Sequence, residues 1–325
     1  MAFDLNALAG MDGAAEESTG GGGAGFEFPY MMWTYGDSKN AKKGGMNVGG
    51  FFIPIPTAED RDSDEDKEKK AEAAALMAEH LPGAGWTLDT MVHQDMSETE
   101  GYYKREFAMG LINYRKRWEI GSDDTFEAFP WNWDTYNEAV GKMAAKGLNG
   151  KPRTKMHVLV AIKGAEKVGP VLLTLKGVAQ INFEGTKNTP GVMGAFFKSV
   201  ITTANTLTKS QVPWRVFWIP AGAARDEAGK PKFEQKGKGS DTSYLVMPQM
   251  LALPDVAGVD LIQRLHVGGD NQKLFESWYQ DSKEWAAAWD TITPGNNGGG
   301  ETNGATPEPV KADPVGAVDL ASLGL

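Results

Sequence analysis

Thirty-one of the 32 Phe, Trp and Tyr residues lie between Phe26 and Trp289. Large rings supply much of the apolar area that offsets the entropy of ordering a chain, so a packed core is confined to residues 26–292. That stretch is long enough for one large domain or two small ones. The first 25 residues hold seven glycines between Gly10 and Gly25 and show no sustained period, which reads as a flexible arm. Residues 293–325 hold seven Gly and four Pro with no aromatic, the composition of a disordered tail.

Cysteine is absent, which excludes disulfides, zinc-thiolate sites, iron–sulfur clusters and cysteine nucleophiles. No apolar run approaches the length of a membrane span, and the chain opens on Phe3 and Asp4 rather than on a basic segment leading into an apolar one. A soluble, cytoplasmic protein with no membrane partner is the expectation. The net charge of −10 conceals an uneven distribution. Residues 1–100 carry 7 basic against 19 acidic side chains, residues 151–250 carry 15 against 6, and residues 251–325 carry 4 against 11. An acidic frame surrounds a basic middle, which raises the case for an anionic partner at that middle; a merely solvated surface is the alternative.

Strand signals fall at Tyr30–Tyr35, Val48–Ile53, Tyr102–Ile120 with a break near Gly110, Thr154–Lys163, Val171–Lys176, Val178–Phe183, Trp214–Ile219 and Tyr244–Leu251. Helical spacing is clearest over Asp66–Leu81, Val192–Thr206 and Asn271–Thr291. Strands interrupted by single helices predict an α+β core, mostly antiparallel, with one barrel-like sheet, inserted helices and disordered termini.

Catalytic patterns fail one by one. His80, His93, His157 and His266 lack the spacing that would put two ligands on one helix face, so no metal site is expected. The run Gly20–Gly25 satisfies a dinucleotide fingerprint in form only, because no strand precedes it and no helix follows. Gly222–Lys230 has the wrong spacing for a phosphate loop and no Ser or Thr after its lysine. The carboxylates from Glu59 to Asp66 read as an acidic lead into a helix. No enzyme and no cofactor are expected.

Aromatic and cationic side chains mixed on strands remain, the combination that tracks a single-stranded backbone while stacking its bases. Alternation puts Arg115 and Arg117 on one face of their strand and Tyr114, Lys116 and Trp118 on the other. In Thr154–Lys163 the apolar face is Met156, Val158, Val160 and Ile162, so Lys155, His157 and Lys163 point away from it, and Lys176 closes the next strand. In Trp214–Ile219 one face would carry Trp214 and Trp218, the other Arg215 and Phe217. Trp33, Tyr35, Lys42 and Lys43 repeat the mixture around a Gly-rich turn. Trp and Tyr serving simply as core residues is the competing reading for each ring.

The layout resembles that of single-stranded DNA-binding proteins of bacteria and their phages, over Tyr30–Leu251 as a body and Thr293–Leu325 as a tail. The resemblance implies an oligonucleotide-binding (OB-fold-like) barrel, sequence-independent binding of single-stranded DNA in replication, recombination or repair, and a tail that recruits other proteins. The tail end, with Asp319, Leu320, Leu323 and Leu325, would be the docking peptide; it departs from the family pattern by lacking adjacent acids before a terminal Pro-Phe. A phage structural or adaptor protein acting through its flexible ends is the alternative reading.

Overall fold

The computed structural model describes residues 28–34, 49–92, 97–121, 126–186, 190–236 and 243–292. A ten-stranded sheet organises them. Its strands are β1 (Tyr30–Thr34), β2 (Gly50–Pro54), β3 (Thr87–Val92), β4 (Glu98–Lys104), β5 (Glu106–Gly121), β6 (Phe126–Pro130), β7 (Arg153–Ile162), β8 (Val171–Lys176), β9 (Trp218–Ala223) and β12 (Pro248–Met250). The order is β12-β9-β5-β7-β8-β1-β2-β4-β3, with β6 also paired to β5. Every pairing is antiparallel except β1 with β8. A two-stranded ribbon, β10 (Phe233–Lys236) with β11 (Ser243–Val246), leads into β12. The α+β, mostly antiparallel expectation stands. The barrel does not: β12 and β3 end the sheet without pairing to each other, so it remains open.

Both faces are covered, which is why β7 reads as a nearly continuous apolar run. The first face carries Met31, Phe51, Met109, Val158, Leu173 and Ile219. It is covered by α1 (Asp64–His80), α3 (Gly177–Glu184) and a helix formed by α4 (Val192–Phe196) and α5 (Thr202–Thr208) with a π-helical turn Phe197–Ile201 between them. The helix α1 starts where the Ser63 hydroxyl accepts from the Asp66 amide and Asp64, Glu65 and Asp66 fill the first turn; it stops at Pro82. The second face carries Ile112, Leu159, Leu172 and Trp218, packed against Phe275 of α7 (Gly269–Asp281) and Trp285 of α8 (Lys283–Ala287). Two helices the sequence reading missed complete the fold, α2 (Trp133–Ala145) and α6 (Gly258–Leu265).

Several expectations need correction. Val178–Phe183 belongs to helix α3 rather than to a strand: a short apolar run does not distinguish the two, and Gly177, at φ 51°, turns the chain out of β8 into the helix. Trp214–Ile219 is not one strand. After Pro213 the residues Trp214–Val216 form a 3-10 turn closed by the Phe217 amide on the Trp214 carbonyl, and β9 starts only at Trp218. Trp214 and Trp218 therefore share no strand face. The break in the long strand falls at Arg105 instead of Gly110. Gly110 sits mid-strand because the Phe275 ring lies over it, leaving 2.4 Å between a Cβ built there and the nearest ring carbon.

That contact predicts a mutational sign. Gly110→Ala should lower the melting temperature through a loss of about 1–3 kcal/mol, since an added methyl must displace a packed ring. Gly141→Ala, inside α2 with nothing near its Cβ position, should raise stability by about 0.5–1 kcal/mol through helix propensity. Chemical denaturation of the two variants checks both signs.

Candidate nucleic-acid interface

The distal half of β5 places Tyr114, Lys116 and Trp118 on the first face, opposite Val158, Met156 and Thr154 of β7. Around them the chain assembles a line of rings. Beyond β6 the turn Trp131-Asn132-Trp133 opens α2, with the Asn132 side chain capping the helix by accepting from the Thr135 amide at 2.9 Å. The Asn132 carbonyl accepts from Trp118 Nε1 at 3.2 Å, which fixes the turn against the strand. Trp131 consequently stacks on Trp118, with centroids 3.9 Å apart and planes at 22°. Trp133 stacks on Tyr136 at 5.2 Å and 20°, and Trp133 is 52 % exposed. At the other end Trp214, on its 3-10 turn, meets Tyr114 edge-on at 5.7 Å.

Lys116 joins the two halves, its Nζ lying 4.6 Å from the Trp131 ring centroid and 5.9 Å from that of Tyr114. The same ammonium donates to Glu184 Oε1 at 2.5 Å. Gln180 also donates to Glu184 and accepts from Thr154 Oγ1 at 2.6 Å, so the carboxylate is held by α3 and β7 together. Burial raises the Tyr114 hydroxyl above the ordinary phenol range, and the Glu184 charge adds to the effect. The strip thus runs Trp214, Tyr114, Lys116, Trp131, Tyr136, Trp133. Of these rings Trp133 is exposed and the others are partly buried; a series of rings at a surface is the kind of arrangement on which unpaired bases can stack.

The second face of the same strands is cationic. Arg117 stands opposite Lys155, which stands opposite Lys176, and Arg115 stands opposite His157 one step along. Trp289 covers this layer, its ring 4.3 Å from the Arg117 guanidinium carbon and 4.4 Å from that of Arg115; Trp285 lies 4.2 Å from Arg115. Burial holds His157 well below the ordinary histidine range, and the charges of Lys155, Arg115, Arg117 and Lys176 push the same way. The imidazole is neutral here.

The other residues singled out from sequence are dispersed. Trp33 is buried, edge-on to Phe51 and donating through Nε1 to the Val246 carbonyl at 2.8 Å. Trp118 and Trp218 are also buried, the latter edge-on to Phe275. These three indoles pack in the protein interior rather than facing a partner. Arg215 is buried in an ion pair with Glu276 at 2.6 Å and lies over the Tyr279 ring, because its 3-10 turn points it at α7. Arg117 pairs with Glu119 at 2.8 Å, and Lys155 is buried beside it. Lys163 is exposed beyond the end of β7, 5.9 Å from the Trp218 ring. Tyr35, Lys42 and Lys43, and the tail residues Asp319, Leu320, Leu323 and Leu325, lie outside the described residues. Trp131, Trp133 and Tyr136 were missed, although three aromatics within six residues beside a capping Asn were a legible signal.

Among the described residues no group of three or more His, Asp or Glu is placed to hold a metal ion, and no helix is long and apolar enough to cross a membrane. Comparison of the chain with protein-family models, curated proteins and solved structures finds no match.

The neutral His157 generates a pH dependence. Its folded-state pKa is depressed, so below about 6.5 the unfolded chain takes up a proton that the folded one refuses. Stability should fall as pH drops below that value, at about 1.4 kcal/mol per pH unit for this one group. His266, whose pKa is also lowered by burial, acts in the same direction. Unfolding curves between pH 7 and pH 5 should be shallower for His157→Gln than for the parent; parallel curves would show that His157 is protonated in the fold.

Proposed function

We propose that the protein binds single-stranded DNA without catalysis and largely without regard to sequence, by stacking bases along the strip from Trp214 to Trp133. The observation that carries this reading is the exposed Trp133–Tyr136 stack, joined to Trp131 through the buried Trp118 that both Tyr136 and Trp131 touch, with Lys116 lying between Trp131 and the half-buried Tyr114 and Trp214. A tryptophan half open to water at a helix start contributes little to folding. As a platform for a base it is worth about 1–3 kcal/mol. Stacking favours no particular base, which suits a general role in DNA replication, recombination or repair. Duplex DNA keeps its bases stacked on one another and cannot present their faces to such a line of rings. The resemblance in layout to bacterial and phage single-stranded DNA-binding proteins supports the same reading, and assigns the recruitment of replication or repair proteins to residues 293–325.

Titration with an unstructured oligothymidylate should quench tryptophan fluorescence and show preference over the matching duplex. Trp133→Ala should weaken the affinity roughly fivefold to a hundredfold with an unchanged melting temperature. Trp118→Ala, which removes the buried ring beneath Trp131, should instead cost about 3–5 kcal/mol of stability. If Trp133→Ala binds the oligonucleotide as tightly as the parent, the strip is not the binding face.

A further inference from the structure

The open sheet ends in two unlike edges. At one end β12 is three residues long, opens on Pro248 and is approached by helices α3 and α4. At the other, β3 runs for six residues, Thr-Leu-Asp-Thr-Met-Val, with no proline and no lysine to blunt it. The neighbouring ladder fixes which of its backbone groups face outward. Pro54 has no N–H to give its partner Gly101, and the next residue, Ile55, donates its amide to the Glu100 carbonyl at 3.0 Å. Glu100 therefore turns its backbone groups toward β2, and its partner in β3, Thr90, turns its own away from β4. By alternation Leu88 and Val92 do the same. The Asp89 carboxylate accepts from the Thr90 amide at 2.9 Å, so this N–H lies outside the ladder between β3 and β4. Among the described residues no strand pairs with the outer side of β3. Leu88, on that edge, is 63 % exposed, the most open of the described large apolar side chains.

We propose that β3 is a contact between two copies of this chain, pairing antiparallel with β3 of the second copy about a twofold axis at Thr90, so that the two sheets join edge to edge. The register selects a second copy as the occupant. Centring on Thr90 sets its outward N–H and carbonyl against those of its counterpart, and those of Leu88 against Val92 of the second copy, so each pair can exchange both hydrogen bonds. The Asp89 carboxylate then yields the Thr90 amide to the facing carbonyl. The same register puts the Leu88 side chain opposite Val92 twice, Thr90 opposite Thr90 and Asp89 opposite Met91, with no like charges directly opposite. Centring on Asp89 would instead set two carboxylates face to face. On the Leu88 face, Glu98 and Glu100 of β4 lie three strand spacings from their counterparts, about 14 Å, beyond the screening length at physiological salt. A contact confined to one strand edge belongs with the weak interfaces below about 1,200 Å². The strand β5, which carries the strip, is six strands away, roughly 29 Å, so the contact does not rest on the strip's function.

Sedimentation velocity of the full-length protein at rising concentration should show a monomer–dimer equilibrium. Thr90→Pro removes an outward N–H that the ladder to β4 does not use, and should raise the dimer dissociation constant at least about tenfold with the monomer still folded. Leu88→Lys, at a position already open to water, should act in the same direction and serves if the proline variant folds poorly. Trp133→Ala should dimerise as the parent does. The register has its own test, because the chain contains no cysteine. Thr90→Cys should link two copies by a disulfide on mild oxidation, since residues of a hydrogen-bonded pair have Cα atoms about 5.5 Å apart. Thr87→Cys, three residues from the axis, should stay unlinked. If the parent remains monomeric throughout, or if Thr90→Pro and Leu88→Lys both dimerise as tightly as the parent, β3 is not a contact between copies.

Discussion

A one-residue irregularity in β5 decides what each face of the sheet can do. Between Leu111 and Asn113 the register against β7 slips by one, so Leu111 pairs with Val160 but Asn113 pairs with Leu159. Before the slip the odd-numbered residues Phe107, Met109 and Leu111 join the first face; after it the even-numbered Tyr114, Lys116 and Trp118 do. A regular strand would have carried Arg115 and Arg117 into the core beside Met156 and Val158. The bulge exchanges the parity and sends both guanidinium groups to the opposite side. Asn113, at the slip, donates to the Ser282 carbonyl at 3.3 Å and to its hydroxyl at 3.1 Å. The irregularity therefore also anchors the junction between α7 and α8, from which Trp285 and Trp289 reach the cations.

Local alternation was legible within short windows. The opposition of Arg115 and Arg117 to Tyr114, Lys116 and Trp118 follows from period two alone, as does the opposition of Lys155 and His157 to Met156 and Val158. What a window cannot supply is parity across a bulge, or which face of the sheet a later segment will cover. The second face was read as open because nothing near Lys155 in sequence announces that Trp289 will lie over it. The same limit explains Trp33 and Trp218, whose burial depends on Val246 and Phe275, far away along the chain. The run Val178–Phe183 failed for a different reason: its apolar residues satisfy strand and helix alike, and the positive φ of Gly177 settled the matter.

Aromatic content, used at first as the measure of core, divides into two populations. Rings such as Trp33, Phe51 and Phe107 meet others edge-on and lie inside. The pairs Trp118–Trp131 and Trp133–Tyr136 are near-parallel, and each joins a more buried ring to a more exposed one. Parallel stacking leaves the outer face of the outer ring available, whereas an edge-on contact in a core encloses both partners.

The charges of the strip weigh on the same side. Its one central cation, Lys116, is already paired with Glu184, and that carboxylate is held by Gln180 and nearly buried. An ammonium engaged in this way offers an approaching phosphate less than a free one would, because the carboxylate beside it repels the same anion. Removing Glu184 to free the lysine would leave Gln180 and Lys116 short of their acceptor in a buried position, so the pair holds the floor of the strip in place. Affinity along this line then rests on ring faces more than on charge. The proposed stacking mode is compatible with a net charge of −10, because ring faces, unlike phosphate contacts, do not require a broadly basic surface.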